Sequence, residues 1–387
     1  MSMFFTPTRE QELLRETVQA VLNRNVSRDF VRELEHSQDF PRDVWKEFGK
    51  AGLLGVPIAE ELGGGGGSVS DLVIVIEEVA RVSLALAIPI VTTVSQVAKV
   101  LSLLGSDDQK AQFVGPIVAG DLVATMAWTE PSGGSDVLSM SLRADRAGEG
   151  WVLNGSKTFI SLADKADLIL TMARTRQNQP RRSDGLTCFA VPGGTGGVVA
   201  RSIPKAAQKS TTFCDVGFEN AMLPNSAIVG TEGAAWKQMA PLLSSERTCF
   251  AAVCIGLAKA SLADALVYVS EREAFGKSIS HFQAVQHHLV DMELAIAGAE
   301  LLMHKAAWVE SMGKPFVAAA TQALVAASEA ASMVTDTALQ LFGGYGITEE
   351  FDVERYWRDA RVFRVSPVTS EVAKNVLAHH LGLPKSF

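Results

Sequence analysis

The sequence predicts a mainly α protein with a central β-domain, and two patterns predict this order. Both ends of the 387-residue chain repeat apolar residues at helical spacing, whereas the middle consists of short apolar runs separated by Gly, Asn and Pro. A hydrophobic content of 47% in a chain of this length allows more than one domain. We expect an N-terminal helical domain over 1–120, a β-domain over 121–229 and a C-terminal four-helix bundle over 230–387.

The N-terminal region begins with a capping pattern at Thr8–Gln11, and a helix is expected from Glu12 to Leu22. The run ELGGGGGS at 61–68 lacks the Lys-Ser/Thr pair of a phosphate-binding P-loop, so we interpret it as a surface loop before a helix from Asp71. The opening residues do not match a signal peptide. No charge-free run of 18 apolar residues predicts a membrane span. We therefore expect a cytoplasmic protein without a membrane partner.

The middle and C-terminal regions differ in periodicity. Short β-type runs such as LVATMAW, GWVLNGSKTFIS, ADLILTMAR and GLTCFAVPG make up the predicted β-domain. Long helical patterns then follow, and we expect helices over Gln238–Ser270, 280–312, 315–342 and 349–361, with a last helix after Thr369.

Composition excludes several classes of function. A net charge of −8 argues against nucleic acid as a partner, since phosphate binding needs a basic face. The four cysteines are scattered, which favours reduced thiols over a disulfide scaffold. Adjacent histidines at 287–288 and 379–380 would point about 100° apart on a helix, so we predict no metal site. No GxSxG motif of a serine hydrolase is present.

Five stretches together resemble the acyl-CoA dehydrogenase family over essentially the whole chain. They are AWTEPSGGSD (127–136), LNGSKTFIS (153–161), SEREAFGKSISHFQ (270–283), LQLFGGYGITEE (339–350) and RDARV…TSEV (358–372). Each stretch alone also fits an ordinary turn, strand or helix end. In this order they imply FAD, two-electron oxidation of an acyl thioester, transfer of the electrons to an electron-transfer flavoprotein, and a homotetramer or homodimer.

The resemblance implies two sets of cofactor contacts. For the flavin ring it implies Thr129, Ser135, Phe159 and Ser161, with Ser135 alternatively on the pantetheine arm of the substrate. Phe159 stands where the family often has Trp, and it keeps a flat apolar face without the indole N–H. For the diphosphate and adenosine it implies residues shared across a subunit boundary: Arg272, Phe275, Gln283, Gln340, Gly343 and Gly344. Thr369 and Glu371 match positions near FAD, although a structural role for Glu371 also fits.

The usual catalytic base of the family is missing. Most members place a Glu before Gly-Thr in the loop that corresponds to 366–369, but here Pro367 and Val368 occupy the Glu and Gly positions. Proline cannot ionise. A minority of the family, the isovaleryl-CoA dehydrogenase type, has the Glu on the first long helix of the bundle, directly before an Arg.

Glu246 and Arg247, in LLSSERTCFAAVCIGLA (242–258), match that alternative pattern. We therefore predict that Glu246 removes the α-proton and that Arg247 contacts the CoA end of the substrate or orients the helix. A Glu in the first turns of a helix is also stabilised by the helix dipole, and it could simply pair with Arg247 or Lys237.

The resemblance implies α,β-dehydrogenation of a short, branched or cyclic acyl-CoA to the trans-2-enoyl product. Three activities on the same fold stay open: a sulfinoacyl-CoA desulfinase, a flavin monooxygenase, and a dehydrogenase of prolyl or acyl groups bound to a carrier protein. A non-catalytic subunit that binds acyl-CoA or FAD is the alternative from another class, and Glu246 argues against it.

Overall fold

A computed structural model describes residues 6–177 and 179–385, and it confirms the predicted fold class. Helices form both ends of the chain and an eight-stranded sheet forms the middle. The helical motifs therefore lie on either side of a β-domain, and the residues of the predicted site come from all three parts.

The N-terminal domain consists of successive helices and two π-helical stretches. The helices are α1 (Arg9–Asn25), α2 (Arg28–Ser37), α3 (Arg42–Lys50), α4 (Val69–Ala80), α5 (Leu84–Pro89), α6 (Lys99–Leu104), α7 (Asp107–Gln109) and α8 (Gly115–Val118). A nine-residue π-helix, Ile90–Ala98, joins α5 to α6, and a shorter one, Lys110–Val114, joins α7 to α8. The first of these π-helices contacts the C-terminal bundle, where the Ser95 hydroxyl meets the Cys249 thiol.

Local sequence signals place two of these helix starts. The capping box predicted at Thr8 is confirmed, because its hydroxyl accepts from the Gln11 amide at 3.3 Å while the Gln11 side chain accepts from the Thr8 amide at 3.2 Å. Helix α4 begins at Val69, two residues earlier than predicted, because Ser68 forms a second capping box with Asp71.

The β-domain is one mixed sheet with the strand order β6-β7-β3-β2-β4-β5-β8, and β1 pairs in parallel with β4. Its strands are β1 (Ala124–Ala127), β2 (Arg143–Ala147), β3 (Gly150–Ser161), β4 (Leu168–Arg174), β5 (Leu186–Pro192), β6 (Val198–Ser202), β7 (Phe213–Pro224) and β8 (Ile228–Val229). Apolar side chains pack on both faces of β4 and β5, so these strands are almost entirely buried.

The C-terminal bundle contains α9 (Ala235–Met239), α10 (Leu243–Glu271), α11 (Gln283–Ser311), α12 (Val317–Phe342), α13 (Val353–Ala360) and α14 (Ser370–His380). The predicted single helix Gln238–Ser270 is wrong at its start, because the chain turns between α9 and α10. Pro241 lies in that turn; it lacks an N–H and disfavours helix at Ala240. A small hairpin, β9 (Glu273–Ala274) and β10 (Lys277–Ser278), joins α10 to α11.

Three helical stretches are long and apolar enough to cross a membrane: Leu84–Leu104, Ser244–Glu271 and Val317–Ile347. The charge-free criterion used on the sequence did not detect them. In the fold, 89%, 72% and 50% of their most apolar windows are buried. Packing against other helices and the sheet thus accounts for much of their hydropathy.

Candidate functional site

A buried ion pair anchors the loop that follows β1. Lys157, on β3, lies 2.9 Å from the Glu130 carboxylate, and the two side chains are 0% and 3% exposed. The Lys157 ammonium also donates to the Trp128 carbonyl at 2.9 Å, and Glu130 accepts from the amides of Ser141 and Leu142. The loop containing Thr129 is therefore held against β3 from both sides.

Electrostatics explains why this pair tolerates burial. Burial would raise the pKa of Glu130, but Lys157 and the two backbone donors outweigh it and leave that pKa below its ordinary value. Burial lowers the pKa of Lys157 to about 8 despite the nearby carboxylate. The sequence did not predict this pair, because its two residues lie 27 positions apart and no spacing marks their contact.

The predicted ring contacts lie on adjacent segments. The Thr158 amide donates to the Thr129 carbonyl at 2.9 Å, so the loop after β1 lies against the part of β3 that contains Phe159 and Ser161. Thr129 and Ser161 are half-buried, whereas Ser135 is exposed further along the loop.

Phe159 has an unusual conformation in β3. It lies in a β-bulge between Lys157 and Ile160, has a φ of 58°, and leaves 63% of its surface exposed. A bulky residue at positive φ costs on the order of 1–3 kcal/mol and occurs mostly where function requires it. An exposed, strained aromatic side chain beside Thr129 is a suitable surface for a planar ligand.

Glu246 lies in the first turn of α10, facing the π-helix. The side chain is half-buried, and burial raises the pKa of its carboxyl to about 7, against the opposing effects of Arg247 and a hydrogen bond with Gln96. Among the described residues the Glu246 carboxyl forms no ion pair with Arg247 or Lys237, the two partners that a purely structural role could have used. An acid with this pKa is half-ionised near neutral pH, as a general base requires.

Arg247 points into the bundle. Its guanidinium donates to the Thr321 hydroxyl on α12 at 2.8 Å, and burial lowers its pKa. This bond supports the interpretation that Arg247 orients α10. A contact with the CoA end of a substrate stays a prediction.

The loop that lacks the usual acid lies beside the same helix. Phe363, just before the loop, packs on Phe250 one turn beyond Glu246, with 6.1 Å between the ring centroids. Thr369 caps α14, and its hydroxyl accepts from the Val372 amide at 3.2 Å. Glu371 is exposed in the first turn of that helix. The cofactor contacts of Thr369 and Glu371 stay predictions.

A second group of predicted residues lies around the far end of α10. Arg272, Gly343 and Gly344 line a cleft of about 440 Å³, where the guanidinium lies 5.8 Å from the centroid of the Tyr345 ring. A Cβ at either glycine would meet no atom within 4 Å, so the backbone is open to a ligand. Within residues 6–177 and 179–385, Arg272 has no carboxylate partner.

The remaining predicted contacts are exposed near this cleft. Phe275 is 95% exposed at the tip of the β9–β10 hairpin, and its ring packs edge-on against Phe282. Gln283 begins α11, and Gln340 lies in the last turn of α12. Side chains this exposed are available to a ligand or a second chain.

The two groups are far apart in a single chain. Residues 246 and 272 are separated by 26 positions along and just beyond the continuous helix α10, so about 39 Å of helix lies between them at about 1.5 Å per residue. One chain therefore does not bring the predicted diphosphate contacts next to its own Glu246.

One cluster outside this site has the composition of a metal centre. Possible ligand atoms of Glu77, Glu300 and His304 lie within 4.8 Å of one another. However, the Lys259 ammonium donates to Glu77 at 2.8 Å and to Glu300 at 2.7 Å. The lysine thus provides the positive charge of this cluster.

Comparison with known proteins identifies the arrangement. Three family models match the chain: the N-terminal, middle and C-terminal domains of acyl-CoA dehydrogenase, over residues 8–121, 125–221 and 233–382. The chain belongs to the acyl-CoA dehydrogenase family. It is an oxidoreductase that acts on CH–CH bonds, and its cofactor is FAD.

Individual acyl-CoA dehydrogenases and a relative with FAD are similar over almost their whole length. The short-chain specific acyl-CoA dehydrogenase of Clostridium acetobutylicum is 32% identical, covering 97% of this chain and 99% of the relative. The butyryl-CoA dehydrogenase structure from Megasphaera elsdenii has a TM-score of 0.93 at 31% identity and covers 98% and 100%. The FAD complex of PigA has a TM-score of 0.91 at 26% identity and covers 98% and 100%.

The residues present fit FAD at both ends. A permanently charged guanidinium at Arg272 beside an open di-glycine suits a diphosphate. The exposed aromatic face of Phe159 and the held loop at Thr129 suit a flavin ring. FAD supplies the acceptor for the hydride that leaves Cβ of the acyl group.

Proposed function

We propose that the protein dehydrogenates a short, branched or cyclic acyl-CoA and that Glu246 is the base that removes the α-proton. One observation supports this proposal most strongly: Glu246 is a half-buried acid with a pKa of about 7 on the helix that packs beside the loop where Pro367 stands in place of the acid. A base relocated from the loop to this helix can act on the same atom.

The proton transfer has simple requirements. The α-proton of a thioester is weakly acidic, so a carboxylate must lie within hydrogen-bond reach of Cα. Glu246 is ionised above a pH of about 7, and the Cα–H bond then breaks as the proton passes to its carboxyl. An apolar acyl group would exclude water from the carboxyl and raise its pKa further, which strengthens it as a base.

The acyl group is the finer part of the proposal. Similarity to a short-chain specific relative supports a short acyl group. The helix-borne Glu resembles the isovaleryl-CoA dehydrogenase type, which supports a branch or ring. The same pattern also fits an acyl group on a carrier protein, and the chain is similar to PigA, crystallised with FAD and with proline.

The distribution of cofactor residues supports an oligomer. Because about 39 Å of helix separates Arg272 from Glu246, we propose that a second copy supplies the diphosphate contacts to each FAD, as in a homodimer or homotetramer. We further propose a cytoplasmic enzyme whose electrons pass to an electron-transfer flavoprotein.

The test is anaerobic flavin bleaching with a panel of thioesters, with the products identified by mass spectrometry. Butyryl-, isobutyryl-, isovaleryl- and cyclohexanecarbonyl-CoA should bleach the flavin and give enoyl products, while octanoyl-CoA should react slowly. Glu246→Gln should bleach about 10³-fold more slowly with each of them. Bleaching of this variant at the wild-type rate would contradict the assignment of the base.

The other activities give different products in the same panel. Sulfite release from a sulfinoacyl-CoA would indicate a desulfinase, and oxygen incorporation in air would indicate a monooxygenase. Reaction only with an acyl group bound to a carrier protein would show that the natural substrate is carried by that protein and not by CoA. A purified oligomer that binds acyl-CoA and never bleaches would indicate a non-catalytic subunit.

A further inference from the structure

The segment from Ser95 to Lys99 faces Glu246 with three polar side chains. The Ser95 hydroxyl and the Cys249 thiol are 3.2 Å apart, and the Lys99 ammonium donates to the Ser245 hydroxyl at 2.9 Å. Gln96 lies between these two contacts, next to Ser95, and its side chain favours the ionised form of the Glu246 carboxyl by lowering its pKa. The two contacts therefore lie on either side of Glu246 along α10, at Ser245 and at Cys249.

Gln96 occupies a distinct position in the π-helix Ile90–Ala98. The other eight residues of this π-helix are buried, whereas Gln96 is half-buried. In a π-helix the bonds run from i to i+5, so the chain turns less per residue than in an α-helix, and such stretches occur frequently at functional sites. Ser95 and Lys99, four positions apart, contact Cys249 and Ser245 on the same side of α10, and Gln96 follows Ser95 directly.

The π-helix is also fixed to the β-domain. The Thr93 hydroxyl accepts from the Ala124 amide at 3.0 Å and donates to the Ala124 carbonyl at 2.8 Å, at the start of β1. This strand leads into the loop that contains Thr129. Gln96 is thus held relative to both α10 and the predicted flavin site, which leaves it little freedom to move away from the carboxyl.

We propose that Gln96 is the positioning residue of the proton-transfer site and holds the Glu246 carboxyl in place through a hydrogen bond donated by its side-chain amide. The inference rests on the proposed function of Glu246. An amide N–H bonds more strongly to a carboxylate than to a neutral acid, so Gln96 favours the ionised form that accepts the proton.

Other charged or titratable groups face this region. Arg247 and Cys249 lie on the same helix as the base, Lys99 begins α6, and Glu310 lies on α11. The Lys99 ammonium pairs with Glu310 at 2.7 Å, so these two charges largely compensate each other. Burial raises the pKa of Cys249 to about 12, which keeps its thiol neutral where Glu246 titrates.

The experiment measures removal of the α-proton without oxidation. In 3-thiabutyryl-CoA a sulfur atom replaces Cβ, so the α-proton can exchange with D₂O while no hydride can leave. Exchange by the FAD-loaded protein is followed by NMR between pH 5 and 9. The wild-type rate should rise with pH through a midpoint of about 7 or somewhat higher, since Glu246 must ionise and the bound acyl group raises its pKa.

Gln96→Met keeps the volume of the side chain and removes the hydrogen bond. Its midpoint should move up by about one pH unit, so exchange at pH 6 should fall by about ten-fold while the plateau at high pH changes little. Gln96→Asn keeps an amide that is too short to reach, and it should show the same shift. This second variant decides the question if the methionine variant fails to fold.

Gln109→Met is the matched control. Gln109 is also buried in the N-terminal domain, but its amide donates to the carbonyls of Ser226 and Ile228 at 2.8 and 2.9 Å. Its replacement should lower the melting temperature and leave the midpoint unchanged. An unchanged midpoint in both Gln96 variants would overturn the role of Gln96, whereas wild-type exchange by Glu246→Gln would overturn the proposed function itself.

Discussion

Two regions of the bundle each contain an acid whose pKa burial raises to about 7, yet their surroundings differ. Asp359, at the end of α13, is 2% exposed, and its carboxylate accepts a hydrogen bond from the backbone amide of Gln208 in the β-domain. Glu246, in the first turn of α10, is half-buried beside the π-helix that contains Gln96. A raised pKa therefore marks a buried acid, but only an accessible acid can exchange a proton with a substrate.

The largest expected effect separates the two acids by activity. Glu246→Gln should lower kcat/KM for the best acyl-CoA by about 10³-fold, because general-base catalysis contributes about 10²- to 10⁴-fold. Asp359→Asn should stay within about three-fold of wild type, since its carboxyl has no path to substrate. Stopped-flow flavin reduction measures both. Equal losses of activity in the two variants would contradict the view that only the accessible acid, Glu246, takes part in proton transfer.

A second test separates cofactor binding from proton transfer. Arg272→Met should weaken FAD binding by about 10- to 100-fold, since a hydrogen bond to a charged group contributes about 1.5–3 kcal/mol. Flavin fluorescence during titration of the apoprotein measures this affinity. The pH midpoint of the FAD-saturated variant should not change. Lys277→Met, on the hairpin that follows Arg272, is the control and should bind FAD as wild type does.

A third test moves the carboxyl from the helix back to the loop. Glu246→Gly combined with Pro367→Glu and Val368→Gly should react at least about ten-fold faster than Glu246→Gly alone, because the Phe250–Phe363 contact places the loop beside α10. The same triple variant with Gln at 367 is the control. No recovery with Glu at 367 would show that the loop does not reach the substrate.

The smallest effect concerns stability at different pH values. Asp359 holds a proton in the folded state up to a pH of about 7, whereas its ordinary pKa is 3.8, so its contribution to stability falls as the pH rises from about 4 to about 7. Between pH 5 and 6 the unfolding free energy of Asp359→Asn should therefore fall less steeply with pH than that of wild type, by about 1 kcal/mol per pH unit. Urea unfolding at several pH values measures this slope.

The same experiment contains its own control. Above a pH of about 7 the carboxyl is ionised in both states, so the difference between wild type and Asp359→Asn should become constant. A difference that keeps changing up to pH 9 would assign the effect to another group.

The order of elements could be predicted from local patterns, and the candidate site residues from the family motifs. The capping box at Thr8, the β-runs and the long C-terminal helices depend on residues that are near one another in the chain. The prediction of Glu246 rests on the family resemblance, in which Pro367 takes the usual place of the acid and the Glu246-Arg247 pair matches the alternative position on the first long helix of the bundle. The break before α10 was missed, although Pro241 was visible as its signal.

Contacts between distant residues could not be predicted in this way. The Lys157–Glu130 pair, the bond from Arg247 to Thr321 and the approach of Gln96 to Glu246 each join segments 27 to 150 positions apart, and none has a spacing that marks it in advance. Helical periodicity indicates a buried face, but it does not indicate which polar group of another element meets that face.

By itself, the sequence determined the class of fold, the family motifs and a carboxyl that could replace the missing loop acid. The tertiary structure alone decided that this carboxyl is half-buried with a pKa near 7, that a π-helix lies beside it, and that Arg272, a predicted diphosphate contact, lies about 39 Å away at the far end of α10. The physical reason is that desolvation and hydrogen bonding depend on which groups packing brings together, and packing involves the whole chain.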